Sequence, residues 1–164
     1  MIFAAAALML GTAAPLDAAD DAPVAAARFN VPDDDIRQLA AIVGRSMAGQ
    51  RVGGGNQNVD KLLFLGRDES GQPVVTGIMV LTSRQSPPTG DPAVLAFVRT
   101  QKTKGRPVPG PSAADLAFVA GNGIALYVVG EWARPAPVWE IARVDGAVRF
   151  RPIGELGEIG PWQD

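Results

Sequence analysis

Short apolar runs separated by glycine and proline breaks restrict this chain more than any other feature. Its 164 residues include 19 glycines and 14 prolines, gathered between the runs rather than inside them. That pattern suits short strands joined by tight turns and opposes a bundle of long helices. The length predicts one domain with room for a real core.

Followed along the chain, the pattern gives a definite order. Asp33, Asp34 and Asp35 offer an N-cap and a negatively charged first turn, and Ile36, Leu39, Ala40, Val43 and Met47 recur on one helical face. A helix is therefore expected over residues 33–48. Gly53-Gly54-Gly55-Asn56 breaks the chain, and residues 61–66 and 73–82 flank the turn-like Asp68-Glu69-Ser70-Gly71 as a hairpin. A Ser/Pro/Gly loop leads into a buried strand over 93–98, and a basic loop spans 99–111. Ser112 with Asp115 three residues on is a capping-box variant that opens a second helix, ending near Gly121-Asn122-Gly123. Residues 124–129 and 138–143 read as strands, and Asp145-Gly146 is a strong hairpin turn into 147–151. The order predicts an α+β domain, one mixed β-sheet flanked by helices.

The amino end, MIFAAAALMLGTAAPLDAADD, has the outline of a secretory signal: an apolar core at 2–10, too short to span a membrane, followed by Gly11, Thr12, Ala13 and Ala14. The expected organisation is a signal over 1–19, a linker over 20–32 rich in Ala, Asp and Pro, a domain over 33–155 and a tail over 156–164. A periplasmic or secreted protein follows, with no stable membrane span once the signal is removed. With 15 basic and 17 acidic side chains, a nucleic-acid-binding face is not expected.

The chain has no histidine and no cysteine. This removes the usual general base at neutral pH, the thiol nucleophile, and the two side chains that most often hold zinc, copper or iron. Ser-His-Asp and Cys-His catalysis are excluded outright. A two-carboxylate site would fall to Glu131 and Glu140, which read as strand-flanking residues on solvated faces. Gly53-Gly54-Gly55 lacks the Lys-Ser/Thr ending of a phosphate loop. Trp132 and Trp139 read as core or edge packing, and Ile159 and Trp162 as groups that dock the tail on the domain or on a partner.

One stretch carries a resemblance. A strand ends in Arg99-Thr100-Gln101, a loop follows, and Ser112-Ala113-Ala114-Asp115 opens a helix that leads into an apolar strand. This ordered context resembles the JAB/MPN metallopeptidase-like domains, of cytidine-deaminase-like architecture, and is closest to their small bacterial members. In that family the strand ends in His-Thr-His or His-Ser-His, the two His and the Asp of Ser-x-x-Asp bind zinc, and the Ser helps hold the oxyanion. An upstream Glu activates the metal-bound water. The resemblance places Arg99 and Gln101 at the histidine positions, Asp115 at the carboxylate ligand and Ser112 at the oxyanion side. No acid stands at 62–65 where the Glu belongs, and Asp60 and Glu69 do not align with it.

The resemblance therefore implies a pseudoenzyme without metal or cofactor, because a permanent cation at 99 repels zinc. It further implies that Arg99 replaces the metal's charge and pairs with Asp115. The expected role is binding a protein or peptide partner along the former substrate groove by β-augmentation. Two other readings stand beside it: a hydrolase with an unrecognised residue set, and a small-molecule or anion-binding module using the basic loop of Arg99, Lys102, Lys104 and Arg106.

Overall fold

The computed structural model describes residues 31–49, 61–81, 86–101, 110–130, 135–155 and 157–164. Helix α1 (Asp34–Gly49) is followed by strands β1 (Lys61–Arg67), β2 (Pro73–Val80) and β3 (Ala96–Gln101), then helix α2 (Ala113–Asn122) and strands β4 (Ala125–Gly130), β5 (Val138–Val144) and β6 (Ala147–Ile153). The strands form one six-stranded sheet in the order β2-β1-β3-β4-β5-β6. Only β3 and β4 run parallel, and α2 is the crossover between them. The α+β architecture expected from the element order is thus observed, with α1 and α2 packed against the sheet.

Alternation along the strands divides the core. Leu63, Leu65, Ala96, Val98, Tyr127 and Val129 face α1 and meet Ile36, Ala40 and Ala41. Leu62, Phe97, Leu126, Val128 and Ile141 face α2 and meet Val119. Each strand of the centre is therefore apolar on both sides, which is why β4 is buried at every position. Helix α1 lies very close to the sheet at Gly44, where an added Cβ would sit 2.5 Å from Val129 Cγ2. A larger residue there would force the helix away.

Local chemistry explains most boundaries. Asp145 and Gly146 adopt positive φ (51° and 82°), the two-residue turn that matches the twist of a hairpin. It sets the β5–β6 register from Val144↔Ala147 to Val138↔Ile153. The strand expected over 93–98 begins later, at Ala96. Asp91 explains the delay: its side chain accepts from the Ala93 N–H (2.9 Å) and its carbonyl from the Val94 N–H (3.2 Å). Those amides are turned into a local loop instead of a ladder. Arg99, Thr100 and Gln101, placed in the sequence at the strand's end and the loop's start, are the last three residues of β3.

The expected signal and most of the linker lie outside the described residues. Its last two residues touch the domain: Val31 packs on the α1-side core, and the Pro32 carbonyl accepts from Arg37 Nη2 at 3.0 Å. No helix among the described residues is long and apolar enough to cross a membrane. At the other end, 157–164 returns along β6, bridging Ile153 to Ile159 and Phe150 to Gln163.

Candidate functional site

The candidate site lies where β3 ends and α2 begins. Arg99 and Gln101 are two apart on β3 and so project from the same side of the sheet, the side on which Phe97 packs toward α2. Asp115 is in the first turn of α2, and its side chain is wholly buried. Ser112 caps that helix in an extended conformation, and its side chain and that of Asp115 close a reciprocal capping box. Asp115 Oδ2 accepts from the Ser112 N–H (2.8 Å) and from the Ser112 hydroxyl (2.6 Å), while Ser112 Oγ accepts from the Asp115 N–H at 3.3 Å.

The other carboxylate oxygen faces the strand. Arg99 Nη1 lies 2.9 Å from Asp115 Oδ1, with the arginine side chain 20% exposed. The contact is an ion pair rather than a directed hydrogen bond, since Oδ1 has no aligned donor. Arg99 Nε and Gln101 Oε1 are also buried without a hydrogen-bond partner. Two of the atoms without a hydrogen-bond partner thus belong to the Arg99–Asp115 ion pair, and the third to Gln101, two residues along β3 on the same side of the sheet. The pairing of Arg99 with Asp115 expected from the sequence is present, and so is the helix cap; the two use different oxygens of one carboxylate.

A divalent cation does not fit these residues. Asp115 is the only acid of the group, its Oδ2 already accepts two hydrogen bonds, and a guanidinium stands against Oδ1. Among the described residues no three Asp or Glu side chains gather as a metal would need. Lys102, Lys104 and Arg106 lie outside the described residues, as do Glu131 and Trp132. Trp139 is buried in the α2-side core, as its sequence context implied.

Glu140 overturns its sequence reading. It is not on a solvated face: its side chain is fully buried on the α1 side of the sheet. The strand register makes it the centre of a row, with Tyr127 opposite on β4 and Arg151 opposite on β6. The Tyr127 hydroxyl donates to Oε1 at 2.8 Å and Arg151 Nε to Oε2 at 2.7 Å. Arg37 descends from α1, its Nε 3.2 Å from both oxygens. Arg37 in turn binds Asp34 one turn earlier. A signal for half of this network was in the sequence, because a two-residue turn at 145–146 pairs position 140 with position 151.

The network fixes the protonation of its tyrosine. Burial, and then the Glu140 charge and hydrogen bond, push the Tyr127 phenol well above its ordinary value of 10.0. The folded protein therefore holds this proton more tightly than the unfolded chain. Its contribution to stability is complete below pH 10 and is lost as the pH climbs toward the folded-state value. Tyr127 is the one tyrosine of the chain, so tyrosinate absorbance reports it alone. The expected result is no tyrosinate signal at pH 10 to 11 while circular dichroism stays native, then its appearance together with unfolding. A simple titration centred at the ordinary value in folded protein would contradict this placement.

Comparison with protein-family models, with curated proteins and with solved structures finds no match to this chain.

Proposed function

We propose that this chain is a non-catalytic relative of the JAB/MPN domains, exported to the cell envelope, that binds a protein or an extended peptide beside the position where its relatives hold zinc. The observation that carries the reading is the Arg99–Asp115 pair. A strand-end cation sits 2.9 Å from a buried carboxylate in a Ser-x-x-Asp helix start, as a guanidinium substituted for a metal would. The element order around it, strand, loop, capped helix and parallel strand, supports the cytidine-deaminase-like assignment. The apolar segment at 2–10 with small residues after it supports export.

The family reading is tested by restoring the ligands. In Arg99→His/Gln101→His, two imidazoles would join Asp115 on one side of β3 and α2. Zinc titration is expected to show binding on the order of 100-fold tighter than in the unmodified chain. A double variant that folds but binds zinc no better would reject the assignment. The binding role is tested by capture from an envelope extract with the unmodified chain and with Arg99→Ala. A specific partner retained by the first and lost from the second is expected, and an identical set from both would place the interface elsewhere. Capture that disappears in high salt would favour an anionic ligand of the basic loop instead.

A further inference from the structure

The segment 157–164 lies on the outer edge of β6 in the manner of a bound peptide. It is anchored first where the Gly154 N–H donates to the Glu158 carbonyl at 2.6 Å. The Phe150 N–H donates to the Gln163 carbonyl (3.0 Å) and the Gln163 N–H to the Phe150 carbonyl (2.7 Å). The Gly160 N–H donates to the Pro152 carbonyl at 3.0 Å, and Pro152, having no N–H, offers an incoming strand only that acceptor. The Trp162 ring lies 4.0 Å from the Arg151 guanidinium carbon, and Asp164 Oδ1 accepts from Arg149 Nε at 2.8 Å. Because 149 and 151 alternate with 150, both arginines project from one face of β6 and read the tail's side chains while Phe150 and Pro152 read its backbone.

Apart from Trp162, which is half-buried against the α1-side core, the attachment is exposed. The tail meets β6 through isolated bridges rather than a continuous ladder, Pro161 interrupts its donors, Ile159 is 43% exposed and the Asp164 side chain 86% exposed. A rim ion pair of this exposure contributes little. Tethered to the end of β6, however, the tail is present at an effective concentration of roughly millimolar, enough to keep the edge closed against free competitors.

We infer that the β6 edge is a peptide-binding site held shut by the chain's own tail, and that its partner is an extended segment carrying an aromatic residue followed two positions later by a carboxylate. The backbone adds to β6 at Phe150 and Pro152, the aromatic ring stacks on Arg151, and the acid pairs with Arg149. This site is separate from Arg99 and Asp115, three strands away in the sheet, and does not depend on the function proposed above.

The test uses a fluorescein-labelled peptide of the sequence of residues 157–164 and full-length protein. Trp162→Ala/Gln163→Pro removes the ring and one backbone donor from the tail and opens the edge. The peptide is expected to bind this variant at least about tenfold more tightly than the unmodified chain. Replacing its final Asp by Asn is expected to weaken binding several-fold, and Glu69→Ala, in the exposed turn between β1 and β2, to leave it unchanged. Hydrogen exchange at the Phe150 amide is expected to speed up in the variant and slow again when peptide is added. Asp164→Arg, at an exposed side chain, opens the edge more gently and keeps the test valid if the double variant misfolds. Equal binding to closed and opened chains, or no binding to an opened chain with native circular dichroism, overturns the proposal.

Discussion

Glu140→Ala is expected to be the most damaging single substitution in this protein. It leaves Arg151, 13% exposed, without a carboxylate and Arg37, 8% exposed, with only the solvent-exposed Asp34 as its anion, and removes the acceptor of the Tyr127 hydroxyl. Stranding a buried charge costs about 3–5 kcal/mol, and a buried hydroxyl without a partner about 1–3 more. A domain of this kind has roughly 5–15 kcal/mol in all, so the variant is expected to be largely unfolded or to melt far below the unmodified protein. Denaturant unfolding checks this, and a loss under about 1 kcal/mol would show that the network is not buried as described. Removing every charge together tells cost from benefit. Arg37→Met/Glu140→Leu/Arg151→Met is expected to recover most of the stability, because apolar groups of similar volume avoid the desolvation penalty.

Asp115→Ala is expected to follow, at about 2–4 kcal/mol. The carboxylate is wholly buried and serves three groups: the Ser112 amide, the Ser112 hydroxyl and the Arg99 guanidinium. The loss is smaller than at Glu140 because Arg99, 20% exposed, can turn part of its charge to water. Glu69→Ala, in the exposed turn between β1 and β2, provides the comparison and is expected to change stability by under about 0.5 kcal/mol. Asp115→Asn keeps an acceptor for the cap and removes only the charge, so it should fall between the two. Equal melting of Asp115→Ala and Glu69→Ala would mean that the pair with Arg99 contributes nothing.

Both carboxylates were visible in the sequence, and their fates differ for a physical reason. Asp115 is defined locally. A Ser followed three residues later by an acid, just before an apolar run, specifies its own helix start, and Arg99 at the strand end precedes it closely in the sequence. Glu140 stands in Val-Trp-Glu-Ile-Ala-Arg, where apolar residues occupy both alternating faces, and an acid in such a run resembles a solvent-facing position. What buries it is remote: Tyr127 arrives through the β4–β5 register and Arg37 from a helix 103 residues earlier. The delayed start of β3 has the opposite cause. There a single side chain, Asp91, redirects two amides that apolar content alone would have assigned to the strand.

The order of the elements, both helix starts, the two hairpins and the αL residue Gly123 after α2 were all determined by the sequence. Each depends on a few adjacent residues whose backbone preferences leave little choice. So was the absence of imidazole and thiol chemistry, since no fold can supply side chains the chain lacks. The strand order, the burial of Glu140 between two arginines, and the return of 157–164 to the β6 edge were decided only by tertiary structure. Those features join residues whose proximity depends on how the whole sheet is paired, and pairing is selected by the two cores that form on either side of it.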